Sequence, residues 1–398
     1  MNIWAWIGLG GIIVYVLTPL FNKNTRTKAA VRKSIITIVI VLGVIIAVSF
    51  FRVNYLLAVI FALIAFILTD KKTYTKKRLI AYGAILFTIT IGIFTLFRDN
   101  PDYVLNHLKK HPETSALDMT RNGDELISYQ SETIRPLAST VKIVIAIEYA
   151  MQAAEGLLDK NQLVALEELD KFYYPKTDGN AHETWIESVH DSGQVSDGKV
   201  TIHEVAKGMI TYSSNANTEF LMHLLGLSSI NERIEYLGLA QHEPVYPIVS
   251  ALLIPEHLSV DSMKKGEVVQ ELESMSMGQY REMAIDLSEG LQDGMIDIQS
   301  FTFDLPMELQ KIWSDRLPGA SAHDYGKLLA MISNDELPGE ASAIIRDLME
   351  WPLDYNEANK NHYAHLGAKG GSTAYILNDA LYVEDLDGNK MEIVIFTD

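Results

Sequence analysis

The chain opens on four long apolar runs, about Ile3–Phe21, Ser34–Phe51, Val53–Thr69 and Leu79–Phe97, with no charge inside any of them. Each is close to the length a helix needs to cross the hydrocarbon core of a bilayer. The polar connections decide an orientation. Asn22–Lys33 and Lys71–Arg78 carry five Lys/Arg each, whereas only Arg52 separates the second and third runs. Positive loops stay in the cytoplasm, so the pattern predicts an N-terminus outside and everything after Arg98 outside as well. No basic segment precedes the first run, which therefore reads as a retained span rather than a cleaved signal. The spans hold no internal acid or base that would suggest a transport path, and are read as an anchor.

After Arg98 the pattern changes to short elements. A polar stalk with Pro101 and Pro112 leads into two strand-like runs, Ser115–Thr120 and Glu125–Tyr129, around Asn122-Gly123, a hairpin signal. Between Leu137 and Ala154 the only charges are Lys142 and Glu148, which predicts a helix buried nearly all round and ending near Gly156. Leu157–Gly198 is polar and turn-rich, without an assigned role. Thr201-Ile202-His203-Glu204 is a capping box opening a helix to about Ile210, and Thr218–Leu225 is helical again. Val245–Leu258 is apolar with two prolines, Glu273–Gln292 contains a helix, and Ser321 starts another over Tyr325–Ile332. Lys369 to Thr373 is read as opening a strand that runs through Ala374–Asn378 and Ala380–Glu384; Asp387-Gly388-Asn389 turns into a last strand, Met391–Phe396. Strands at both ends with helices between predict an α+β domain, its strands pairing into one antiparallel sheet. The expected organisation is thus 1–97 as four transmembrane helices, 98–113 as a stalk and 114–398 as an extracytoplasmic domain.

Composition narrows the chemistry. The chain has no cysteine, which removes disulfides, thiol nucleophiles and thiolate metal sites. Of the net charge of −18, residues 1–97 contribute 11 Lys/Arg against the single acid Asp70; the remainder has 22 Lys/Arg against 50 Asp/Glu. So acidic a domain repels phosphate and does not suit nucleic acid.

The candidate chemistry lies at the buried helix. Ser139 and Lys142 are three residues apart, on one helix face. At a helix start the serine faces free backbone N–H groups able to hold an oxyanion, and a lysine buried in that helix loses affinity for its proton and can serve as a base. Two other S-x-x-K copies, Ser196–Lys199 and Ser262–Lys265, precede no apolar helix and read as loops. Ser213-Ser214-Asn215 between two helices and Lys369-Gly370-Gly371 at a strand complete a set of three motifs. In this order and setting they resemble the serine penicillin-recognising superfamily, class A β-lactamases and penicillin-binding DD-peptidases, over roughly 114–398.

The resemblance implies a β-lactamase/transpeptidase-like fold, an antiparallel sheet with helices packed on it and an all-helical subdomain. It implies Ser139 as the nucleophile, Lys142 as its general base, Ser213 as proton relay and Lys369 as partner to the substrate carboxylate. Substrate would be bound by Asn215, Gly371, Ser372 and Thr373, with the N–H groups of Ser139 and Ser372 as the oxyanion hole. No cofactor and no metal are implied. Three departures stand out. Gly370 replaces the hydroxyl residue of a Lys-Thr/Ser-Gly triplet, Ser214 replaces an aspartate, and the E-x-x-L-N loop that supplies the deacylating acid of class A enzymes is missing. Glu256 is the nearest candidate for that acid, and residues 260–320 look like an insertion near the cleft. The expected function is a membrane-anchored serine hydrolase in the cell membrane of a bacterium. It would act outside on β-lactams or on D-alanyl amides or esters of peptidoglycan and teichoic acid, with the lipid bilayer as its other partner. A β-lactam sensor and an inactive wall-binding module share this layout. A sensor's membrane zinc protease is unsupported, because 1–97 contains no histidine.

Overall fold

The computed structural model describes residues 102–260, 265–301 and 305–398. The four apolar runs lie outside the described residues; within these no helix is long and apolar enough to cross a membrane. After helix α1 (Tyr103–Lys110) come strands β1 (Ser115–Arg121), β2 (Asp124–Tyr129) and β3 (Arg135–Pro136). Helix α2 (Lys142–Ala154) is followed by β4 (Leu163–Ala165), α3 (Leu166–Asp170), α4 (Ala181–Asp191), β5 (Lys199–Thr201) and α5 (Ile202–Lys207). A π-helical turn, Gly208–Tyr212, leads to α6 (Asn215–Leu225) and α7 (Leu227–Tyr236). Then come α8 (Ile254–Val260), α9 (Lys265–Ser274), α10 (Met277–Gln292), α11 (Met307–Asp315) and β6 (Gly319–Ala320). The chain closes with α12 (Ala322–Ser333), α13 (Ala341–Met349), α14 (Trp351–Tyr355), β7 (Tyr363–Ser372), β8 (Leu377–Asp385) and β9 (Lys390–Thr397).

The terminal strands pair as expected from strands at both ends of the domain, in a five-stranded antiparallel sheet of order β2-β1-β9-β8-β7. The β1–β2 turn places Asn122 and Gly123 at positive φ, as an Asn-Gly hairpin requires. Helix α12 packs across β1, β8 and β9, starting where Ser321 accepts the Asp324 N–H. Behind it α2 is enclosed by α6, α7 and α13, so that every residue from Lys142 to Met151 is buried. Its one acid, Glu148, is matched by Arg233 at 2.6 Å. A buried carboxylate left without that partner would cost several kcal/mol, about 3–5.

The C-terminal strands differ from the sequence reading. Lys369-Gly370-Gly371-Ser372 closes a strand rather than opening one, the turn falls at Thr373–Ile376, and β7 is the edge strand of the sheet. The reason is the buried face of β7, which is made by Gly367, Lys369 and Gly371. Tyr382 lies over Gly367, filling the space a side chain would take. A strand whose inward positions are two glycines and a lysine carries no hydrophobic alternation.

Candidate active site

Ser139 is set by a turn between β3 and α2. Ala138 adopts φ +46°, uncommon for a residue with a side chain and costing roughly 1–3 kcal/mol. The 3-10 turn Ala138–Val141 then runs straight into α2. Thr140 Oγ1 donates to Leu137 O at 2.6 Å, and Asn378 Nδ2 on β8 donates to Pro136 O (2.8 Å) and Leu137 O (3.2 Å), clamping the turn onto the sheet. The closing contact is Gly371. A Cβ there would sit 2.7 Å from Leu137 O and 2.8 Å from the N atoms of Ser139 and Thr140. Glycine alone lets β7 approach the serine's backbone this closely.

One helical turn on, Lys142 is fully buried. Its Nζ lies 2.6 Å from Ser213 O, 2.9 Å from Asn215 Oδ1 and 3.3 Å from Ser213 Oγ. Burial lowers its proton affinity well below that of an ordinary lysine, and the neighbouring Lys369 lowers it further, against a smaller opposing pull from Asp178. A neutral amine has two N–H groups and one lone pair. The two short contacts use the N–H groups, leaving the lone pair for a hydroxyl. Lys369, 4% exposed, reaches the same hydroxyl from β7, donating to Ser213 Oγ at 2.9 Å and to Gly370 O at 2.8 Å. Burial lowers its pKa to about 7, with Asp379 pulling it up. The Ser213 hydroxyl is thus held between two buried lysines.

Ser213 reaches that position because the π-turn ends with it at φ +67°. The turn packs tightly; a side chain on Gly208 would collide with Trp185 and Asn217. Ser214 points the other way, buried, capping α6 through the Asn217 N–H (3.3 Å). Its Oγ lies 2.9 Å from His182 Nδ1 and 2.9 Å from Asn217 Oδ1. Burial lowers the His182 pKa. The neutral ring donates from Nδ1 to a hydroxyl that itself donates to Asn217, so a serine satisfies this site without a charge.

These groups face a 640 Å³ cleft, a usual size for a small-molecule site. The structure brings Ser139, Ser213, Asn215, Lys369, Gly371 and Ser372 to its wall, with Lys142 directly behind. Two expected residues are elsewhere. Thr373 sits in the β7–β8 turn, its hydroxyl occupied by Ser314 Oγ (2.9 Å) and the N–H groups of Tyr375 and Ile376 (3.0 and 3.1 Å). Glu256, on the short helix α8, is not on the cleft wall and pairs with Tyr174. The wall after α7 is given by Ile248 instead; the adjoining Val249 and Ser250 N–H groups, both 3.0 Å from the buried Glu219 carboxyl, hold it in place.

The cleft also contains residues the sequence reading missed. Asp178 comes from the turn-rich stretch without an assigned role; its carboxylate accepts from the N–H groups of Ala181 (3.1 Å), His182 (3.2 Å) and Asn215 (3.4 Å). Asn378 and Asp379 come from β8, and Trp351 from α14. Trp313 and Leu317 come from the stretch read as an insertion, which does reach the cleft. Only the Asp-Gly turn signal at Asp178 could have flagged any of them. Among the described residues no cluster of His, Asp and Glu could hold a metal ion.

A model described as the beta-lactamase enzyme family matches residues 102–398. The chain belongs to that family. No curated protein matches this β-lactamase family member. Among solved structures it is similar to a β-lactamase from Chitinophaga pinensis (16% identity, 75% of this chain and 90% of that one, TM-score 0.45). It is also similar to a class A β-lactamase from Bacteroides cellulosilyticus (14%, 74% and 87%, 0.45). A third is the L158E mutant of PBP-A, solved as an acyl-enzyme complex with penicillin G (15%, 74% and 85%, 0.44).

Proposed function

We propose that the protein is a serine acyl hydrolase that forms an acyl-enzyme on Ser139, with β-lactams or D-alanyl amides and esters as acyl donors. The observation that carries this is the Ser213 hydroxyl held between two buried lysines of lowered proton affinity, in the cleft that also presents Ser139. In the first step Ser139 Oγ attacks the scissile carbonyl while its proton passes to neutral Lys142. The charge that develops on the carbonyl oxygen is met by the N–H groups of Ser139 and Ser372, which the approach of Gly371 brings to one side of the cleft. The leaving atom takes a proton from the Ser213 hydroxyl, which is replaced by the proton held on Lys142, 3.3 Å from Ser213 Oγ, while the Lys369 ammonium stabilises the charge on that oxygen during the transfer. Water then releases the acyl group. Asp178 is occupied by three backbone N–H groups and Asp379 lies beside Lys369, so neither is placed as a dedicated base for that water, and hydrolysis of a β-lactam acyl-enzyme is slow. The four apolar runs anchor the chain, with the catalytic domain outside the cell membrane.

The test uses full-length protein in detergent, with Ser139→Ala as the control, incubated with a fluorescent penicillin. Label on the wild type, absent from the variant and lost over many minutes, is the expected result. No label, or equal label on Ser139→Ala, sinks the proposal.

A further inference from the structure

Resting on the acyl-transfer reading above, strand β7 gives the cleft a direction. Lys369 touches Ser213, which in that reading protonates the leaving atom. Ser372, three residues and about 10 Å further along the strand, supplies an N–H to the carbonyl oxygen. Beyond it, Ser314 Oγ donates to Thr373 Oγ1 at 2.9 Å and Tyr375 OH to Met307 O at 3.0 Å, which docks α11 at the far end of β7. Trp313 of that helix lines the cleft together with Ile248, and its indole N–H donates to Ile248 O at 3.0 Å, so that the ring presents apolar surface. The Ile248–Trp313 wall therefore stands on the acyl side of the scissile carbonyl.

The segment that carries Ile248, Val245–Val249, belongs to no helix or strand. Two side chains hold its ends. Asn231 of α7 accepts from Val245 N at 2.7 Å and donates to Val245 O at 3.0 Å. At the other end stands Glu219, one turn after Asn215 on α6 and wholly buried. One of its oxygens accepts from Val249 N and the other from Ser250 N, each at 3.0 Å. The hydroxyls of Ser250 and Ser288 (3.1 Å) also donate to it. All four donors are neutral, so they give no ion pair to set against the cost of burying a carboxyl. An apolar side chain would pack in this core without that cost, but it could not accept from two consecutive backbone N–H groups. Glu219 thus ties the helix that carries Asn215 to the segment that carries Ile248.

We infer that Glu219 is a positioning residue for the acyl group: by holding Val249 and Ser250 it sets the Ile248–Trp313 wall, and through that wall the cleft prefers acyl donors with a bulky apolar group on the acyl side. The leaving group lies toward Lys369, away from this wall.

Benzylpenicillin and 6-aminopenicillanic acid share the reacting ring and its carboxylate; the first carries a phenylacetyl group on the acyl side and the second none. Each competes with a fluorescent penicillin for the full-length protein in detergent, and its acylation rate constant is read from how far it slows labelling. The wild type should favour benzylpenicillin by about tenfold or more. Glu219→Gln turns an amide nitrogen toward one of the two backbone N–H groups and frees the wall. The preference should then fall to about threefold or less, through loss of benzylpenicillin, with 6-aminopenicillanic acid changed little. Ile248→Ala should give the same loss directly. Ser288→Ala takes a donor from Glu219 but leaves both backbone contacts, and should keep the preference. If Glu219→Gln does not fold, Glu219→Asp, one methylene short of those N–H groups, decides in its place. Equal rate constants in the wild type overturn the inference, as does a preference that survives in a folded Glu219 variant or in Ile248→Ala. A loss that falls equally on both compounds, or that Ser288→Ala reproduces, also overturns it, because core stability then accounts for the effect. All of these leave the acyl-enzyme reading standing. An unlabelled wild type, or label that survives Ser139→Ala, removes that reading and the inference with it.

Discussion

At the scale of single residues, the proposed acyl transfer rests on two lysines whose burial would give them different tasks. Burial in α2, enclosed on every side, lowers the proton affinity of Lys142 well below that of an ordinary lysine, which favours its neutral, basic form. Lys369, with a pKa lowered to about 7, is half-charged near neutrality. Its ammonium is the form that helps Ser213 release a proton, and that form disappears as pH rises through 7. Acylation, followed as the rate of penicillin labelling, should therefore show an alkaline limb with a midpoint near pH 7, losing about tenfold per pH unit above it. Lys369→Arg keeps the charge at every accessible pH, and should flatten the limb even if it lowers the rate. A limb that persists unchanged in that variant would assign the titration to another group. Ser139 and Lys142 stood out in the sequence because their spacing falls at the start of an apolar helix, and Ser213, Asn215 and Lys369 because their order and settings complete the three motifs of the resemblance. Asp178 and Asp379 were not, since a lone aspartate in a loop or at an exposed strand position looks the same whether it faces water or a cleft.

At the scale of elements, the cleft is a junction between the start of α2, the π-turn before α6 and the edge strand β7. Helices α2, α5, α6, α10 and α12 were legible because apolar spacing and caps such as Ser321 sit on the chain itself, whereas α1 lies in the stretch read as a stalk and α3 and α4 in the turn-rich stretch left without a role. β7 was misplaced because its inward face is glycine and lysine, and the meaning of Gly371 lies in what stands opposite: the backbone of Leu137, Ser139 and Thr140. Gly371→Ala tests that reading. The added methyl meets backbone atoms that cannot rotate away, so β7 must separate from the turn and carry Ser372 N away from Ser139 N. Losing one donor of an oxyanion pair costs about 10²–10³ in rate. The labelling rate should fall by that factor, while thermal unfolding shows the sheet and α2 intact. A rate within a few-fold of wild type would mean that Gly371 is not what brings the two donors together. Gly370→Ala is the matched control: its neighbours stand at 3.5 Å or more, so the methyl fits.

At the scale of the whole molecule, the chain divides its charge sharply, 11 Lys/Arg against one acid over 1–97 and a net of −28 over the rest. The described residues carry their own core, running from Ala116 through α2 and α12 to Phe396, together with every residue assigned a part in acyl transfer. A fragment from Asp102 to Asp398 should therefore stay in solution without detergent and take up penicillin label on Ser139 at the full-length rate. The full chain should sediment with membranes, resist extraction by alkaline carbonate and yield only to detergent, because apolar runs of bilayer length are held by hydrocarbon rather than by charge. In the proposed topology, with the basic loops in the cytoplasm, protease added to intact cells should remove the labelled domain. Release by carbonate would argue for attachment to the surface rather than through the bilayer. Protection from protease would reverse the orientation and place the cleft away from wall substrates, which would leave the acyl chemistry standing but change what it meets.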